Sequence, residues 1–170
     1  AAELPTLVAD ADAVITQFAS VNADVIASMQ NARVIVRYGI GVDNVDLAAA
    51  RAKGIPVCNV PDYCIDEVAD HTLAFILATT RQVVANDNSL KGGTWALATS
   101  LDQMKALRDL TVGVVGFGRI GREVVARLRA FRCRILVSDP IAKASDIEAA
   151  GGTSVAWQDL LKQADVITLH

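Results

Sequence analysis

Cysteine is scarce in this chain: Cys58, Cys64 and Cys133 are odd in number and show no C-x-x-C spacing. That excludes a fully paired disulfide framework and argues against a structural zinc cluster, so no metal site is expected and a reducing cytoplasm is. An excess of positive charge is also missing. Sixteen Lys and Arg face nineteen Asp and Glu, for a net charge of -3, so no global basic field exists to hold a nucleic-acid backbone. Long uncharged apolar runs are absent too. Asp70, His71 and Arg81 flank the best candidate, which falls short of the roughly 20 residues that a spanning helix needs. There is no initiator Met and no basic lead-in to an apolar run, so nothing resembles a signal peptide. Neither nucleic acid nor a membrane is expected as a partner.

What the chain has instead is apolar residues. They make up 52% of its 170 positions, and the mean hydropathy is +0.36. Such richness suits a piece of a larger protein whose other parts cover some of these faces. The last residue, His170, directly follows the apolar run Val166-Ile167-Thr168-Leu169. The chain is therefore expected to be truncated at both ends.

Strand-like and helix-like runs alternate throughout, which predicts an α/β fold with parallel sheets. Strands are expected at 13–16, 34–36, 56–60, 112–115 and 135–138, with a last one at 166–169. Asp46 reads as the N-cap of a helix over 47–53 that closes at Gly54. A helix is expected over 66–85. Its centre, Leu73 to Ala78, is apolar on every side and should be buried all round, whether between domains, between subunits or in an ordinary core. Gly92-Gly93 and the polar residues around them place the domain crossing between 86 and 110. This divides the chain into a substrate domain, 1–90, and the first half of a dinucleotide-binding domain, 91–170.

Gly116-Phe117-Gly118-Arg119-Ile120-Gly121 is the strongest chemical signal. A G-x-G-x-x-G alone is weak, since a ligand-free turn or a flavin site shares it. Here a β-branched strand precedes it, an amphipathic helix follows it, and Asp139 ends the next strand, 139 - 121 = 18 residues beyond the last glycine. In that setting Gly116 makes the tight turn, Gly118 admits a pyrophosphate and Gly121 lets the helix pack on the strand. The amides around Arg119 and Ile120 face the phosphates. Asp139 accepts both ribose hydroxyls and repels a 2′-phosphate, so NAD is expected rather than NADP, with Arg134 as a basic neighbour that softens the preference. The arginines at 119, 122, 127, 129, 132 and 134 read mostly as a solvated helix face.

A second glycine pair, in Tyr38-Gly39-Ile40-Gly41, follows a strand and forms either an anion nest for a carboxylate or a plain tight turn. Glu67 and His71, four apart on a helix, could form an acid-base pair, although a structural histidine fits equally simply. Cys64 reads as a packed thiol, not a nucleophile.

The stretch from Arg37 to Asp46, the segment KGIPVCNVPDYCIDEVADHTLAFILATTR, the turn GVVGFGRIG with its later SDP, and the ending DLLKQADVITLH resemble the D-isomer-specific 2-hydroxyacid dehydrogenases. Within that family the phosphoglycerate-dehydrogenase and C-terminal-binding-corepressor branches are most similar. The resemblance implies two Rossmann-like domains, one flavodoxin-like and one dinucleotide-binding, a homodimer, and hydride transfer between NAD and C2 of a D-2-hydroxy or 2-oxo acid. It implies that Tyr38, Gly39, Ile40 and Gly41 hold the substrate carboxylate and that Ile40 also lies beside the nicotinamide. Arg119, Ile120 and Asp139 become cofactor contacts and His170 a wall of that site. The family's catalytic arginine, glutamate and histidine would lie beyond His170, so no catalytic residue is expected in this chain and none of the chemistry from these 170 residues alone. An NAD(H)-sensing corepressor-like protein is the alternative. Two departures stand out. Arg132 occupies a position that is often glycine, predicting a helix end without its left-handed residue, and Ile40 replaces a small hydroxyl residue common in phosphoglycerate-type members.

Overall fold

The computed structural model describes residues 3–170. Their contacts divide into a unit ending at Tyr63 and another running from Cys64 to His170.

In the first unit, a one-turn helix α1 (Leu4–Leu7) precedes three short strands: β1 (Val14–Thr16), β2 (Ile35–Arg37) and β3 (Val57–Asn59). All three are parallel in the order β1-β2-β3, with Ile15, Val36 and Cys58 in register. Helix α2 (Ala23–Ser28) joins β1 to β2 and α3 (Leu47–Ala52) joins β2 to β3. Each begins at a side-chain cap, for Asn22 accepts from the Val25 amide at 3.1 Å and Asp46 from the Ala49 amide at 2.9 Å. Gly54, at φ +74°, closes α3 as expected. Val25, Ile26, Met29, Ile35 and Ala50 fill the core between helices and sheet.

Lys53 was not singled out by the sequence. Its ammonium donates to the carbonyls of Ile26 and Ala27, both at 2.8 Å, and to that of Met29. Ile26 and Ala27 lie in the last turn of α2 and Met29 is its C-cap, so the ammonium sits at the negative end of the helix dipole, where carbonyls run short of helical donors. Lys53→Met should lower the stability of this unit by about 1–2 kcal/mol, readable as a shift in its urea midpoint.

The second unit opens with α4 (Ile65–Thr80) and α5 (Val83–Lys91), followed by β4 (Thr111–Val115), α6 (Arg119–Arg129), β5 (Arg134–Ser138), α7 (Ala144–Ala149), β6 (Thr153–Ser154), α8 (Trp157–Gln163) and β7 (Val166–Leu169). Its four strands are parallel in the order β6-β5-β4-β7. Crossovers that leave β4 in both directions create a switch point at its C-terminal end, where such sheets bind ligands. Gly113 inside β4 lets α8 come close: a Cβ there would lie 2.7 Å from the Leu160 side chain. Val112, Val114, Val124, Val125, Leu128, Ile135 and Val137 form the core.

Several expectations change here. The compact units divide at 63/64, ahead of the expected 90/91, because α4 packs on α6 and puts Ala69, Leu73 and Ile76 into the second core. The expected helix over 66–85 is two helices. Gln82 takes φ 54° between them while its side chain donates to the Thr79 carbonyl at 3.1 Å, so the break occurs without glycine or proline. Nor is α4 buried all round in this chain, since Phe75 keeps 63% of its surface exposed. The two-residue strand β6 was not anticipated.

The arginine-rich face is not simply solvated. Arg127 donates to Asp66 at 2.7 Å and Asp70 at 2.6 Å on α4, and to Glu123 at 2.8 Å. This fork ties α4 to α6, and the acidic partners hold its guanidinium firmly charged. Arg132, expected to leave its helix end without a left-handed residue, adopts that conformation itself at φ 61°. An L side chain there costs about 1–2 kcal/mol, partly offset by the freer unfolded chain of a glycine. Arg132→Gly should therefore stabilise the second unit by about 1 kcal/mol in thermal melts.

Candidate functional site

Where β4 ends, the chain makes the turn that carries the glycines. Gly116 sits at φ +92°, and a Cβ on it would lie 2.1 Å from the His170 carbonyl oxygen. Its amide donates to the Ser138 carbonyl at 2.9 Å. Phe117 is buried, 2% exposed, and its amide donates to Asp139 Oδ2. At Gly118 a Cβ would meet nothing within 4 Å, so a ligand can approach the backbone there. Helix α6 begins at the next residue with no side-chain cap, so its first-turn amides face the turn. Gly121 closes the arrangement, because a Cβ would stand 2.1 Å from the Gly116 carbonyl oxygen.

Asp139 faces this turn. One carboxylate oxygen accepts the Phe117 amide at 2.6 Å, and the other accepts those of Ile141 and Ala142, both at 2.7 Å. The Phe117 hydrogen bond, followed by those of Ala142 and Ile141, holds its pKa below the ordinary carboxylate value, and the charge of Arg122 adds to the effect. A carboxylate offers about four acceptor positions. Three are occupied, which leaves one open acceptor position, on Oδ2.

Arg134 is not a neighbour of this carboxylate. It starts β5, at the opposite end of the strand from Asp139, and donates to Gln163 Oε1 at 2.8 Å. The cation that Asp139 does sense is Arg122, whose guanidinium stacks 4.3 Å from the centre of the Phe117 ring. His170 runs beside the turn. Its amide donates to the Val115 carbonyl at 2.8 Å, its ring nitrogen pairs with Thr168 Oγ1 at 3.0 Å, and burial lowers its pKa. The glycine-rich turn, Asp139 and His170 thus meet at the end of β4.

The glycine pair of the first unit is a pinned loop. Arg37 folds over Gly39, donating to the Tyr38 carbonyl at 3.0 Å and to Asn44 at 3.4 Å. Asn44 reaches the Ala19 carbonyl at 2.8 Å, and Asn59 donates to the Ile40 carbonyl at 2.7 Å. The Tyr38 amide is used on Thr16 and the Gly39 amide on Arg37. Of the four consecutive amides, those of Ile40 and Gly41 have no backbone acceptor among the described residues, so the nest is narrower than expected. Asn44 and Asn59 were missed because their partners lie 25 and 19 residues away in sequence.

Glu67 and His71 do not form a pair here. The His71 ring instead packs edge-on against Phe75, centroids 4.4 Å apart. Among the described residues no group of His, Cys, Asp or Glu could hold a metal, and no helix is long and apolar enough to cross a membrane.

A parallel α/β unit with an uncapped helix behind a G-x-G-x-x-G turn and a carboxylate on the next strand is a dinucleotide-binding architecture. Residues 1–164 match the model of the D-isomer specific 2-hydroxyacid dehydrogenase catalytic domain. The chain belongs to this family. It is 37% identical to D-3-phosphoglycerate dehydrogenase of Mycobacterium leprae over 169 residues, which is 99% of this chain and 32% of that protein. Against hydroxypyruvate reductase of Thermotoga maritima the identity is 35%, covering 99% of this chain and 54% of the relative. D-Lactate dehydrogenase of Aquifex aeolicus, solved with NAD and lactic acid, superposes with a TM-score of 0.88 at 29% identity, covering 98% of this chain and 50% of that one. The chain thus spans between about a third and about half of the length of these relatives.

Proposed function

We propose that this chain carries the adenosine-binding and carboxylate-binding parts of an NAD-dependent oxidoreductase acting between a D-2-hydroxy acid and its 2-oxo partner. The observation that carries the reading is Asp139, fixed by three amides against a turn whose Gly118 is open and whose following helix is uncapped. In this reading Gly116, Gly118 and Gly121 shape the pyrophosphate site. The amides at Arg119 and Ile120 hold the phosphates, Asp139 holds the ribose, and His170 walls the crevice. Bound NAD would supply or accept the hydride at C2. Tyr38 to Gly41 would seat the substrate carboxylate, chiefly through the Ile40 and Gly41 amides, with Ile40 beside the nicotinamide. The relatives named above are dehydrogenases and a reductase, which favours catalysis over corepressor-like sensing.

A homodimer is part of the proposal. Val84, Leu90, Trp95, Leu97 and Leu101 are each more than half exposed within one segment, and an apolar surface of that kind suits a second copy. A cytoplasmic location is proposed on the three free cysteines. NADH oxidation by the full-length protein that carries these residues, offered a panel of 2-oxo acids, tests the activity. Tight NADH binding with no turnover of any of them would overturn the catalytic reading.

A further inference from the structure

The first turn of α6 carries Arg122, to which the dinucleotide site as described gives no task. Its guanidinium carbon lies 4.3 Å from the Phe117 ring centroid, and its Nη2 lies 3.9 Å from Asp146 Oδ2 in the first turn of α7. Phe117 also donates its amide to Asp139 at 2.6 Å. One residue therefore seats both charges: the guanidinium rests on its ring and the carboxylate on its amide. Stacking restrains an otherwise flexible side chain, while about half of the Arg122 surface remains open.

Two carboxylates adjoin this cation: Asp139, which shares Phe117 with it, and Asp146, which faces its Nη2. A ribose 2′-hydroxyl is neutral and meets no penalty there. A 2′-phosphate carries nearly two negative charges and is repelled while both carboxylates stand. We propose that Arg122 is a masked receptor for the 2′-phosphate of an adenine dinucleotide, kept out of use by Asp139 and Asp146. Cofactor choice then rests on the balance of charge at this turn. Arg134 has no part in it, being at the far end of β5. The inference depends on the dinucleotide reading of the turn and adds to it a named determinant of selectivity.

Calorimetric titration with NADH and NADPH tests it, with thermal melts to show that each variant is folded. The wild-type protein should favour NADH. Asp139→Ser should raise the affinity for NADPH itself about tenfold, the worth of a charge-assisted contact, and NADH is titrated separately because the same change removes its ribose acceptor. Adding Arg122→Gln should return the NADPH affinity to near its starting value. Asp146→Asn, which leaves the three amide bonds of Asp139 intact, should raise NADPH affinity about threefold by removing a half-exposed charge, with NADH affinity unchanged. An NADPH affinity that stays raised after Arg122 is replaced, or that Asp146→Asn does not move, overturns the inference while leaving the dinucleotide site in place. Failure of the wild-type protein to bind either nucleotide overturns both.

Discussion

Gly121→Ala is expected to abolish measurable NADH binding and to destabilise the second unit by about 3 kcal/mol or more, comparable to severe overpacking in a core. The new methyl would sit 2.1 Å from the Gly116 carbonyl oxygen. Backbone, unlike the end of a flexible side chain, cannot step aside without moving the whole turn. Relief requires α6 to lift away from β4, which takes its first-turn amides off the phosphate position and opens the core at Val124 and Val125. Gly118→Ala provides the contrast. Its methyl meets no protein atom, so stability should hardly change while affinity falls, because the methyl occupies the space through which a pyrophosphate approaches the backbone. Melting curves and nucleotide titrations of the two variants separate packing from binding. Equal loss of stability in both would contradict the tasks assigned to them.

Asp139→Asn is expected to reduce NADH affinity by about tenfold or more, since it removes a charged acceptor from the ribose and turns one acceptor oxygen into a donor facing a backbone amide. The same carboxylate makes stability depend on pH. Its folded pKa lies below its ordinary value because three amides favour the ionised form. Its contribution is therefore fully present above the ordinary carboxylate pKa and is lost as pH falls through the lower folded value. Wild type should be the more stable protein at about pH 6, and the difference from Asp139→Asn should shrink towards about pH 2 in urea melts. A difference that stays constant over that range would show that the three hydrogen bonds do not depend on ionisation.

Much of the site could be read from sequence because its parts are local. The strand, the three glycines, the amphipathic helix and the next strand's terminal acid follow one another within 29 residues, counting from Thr111 to Asp139, and each has a recognisable chemistry. The same holds for the caps Asn22 and Asp46 and for Gly54. What could not be read depends on distance in sequence or on geometry along an element. Arg127 finds Asp66 and Asp70 across 61 and 57 residues. No periodicity reports that contact, and without it the arginine-rich face looked merely solvated. Arg134 stood close to Asp139 in sequence, yet five residues of extended strand carry it about 16 Å away. Arg122, nearer in space, looked like one more exposed cation of the helix. The break at Gln82 involves neither glycine nor proline, and so lacked the usual signal.

The most direct measurement is a crystal structure of the protein with NAD bound. The diphosphate should lie against the first-turn amides of α6, passing over Gly118, with an adenosine ribose hydroxyl on Oδ2 of Asp139. A diphosphate located elsewhere, or a ribose out of reach of Asp139, would contradict the account.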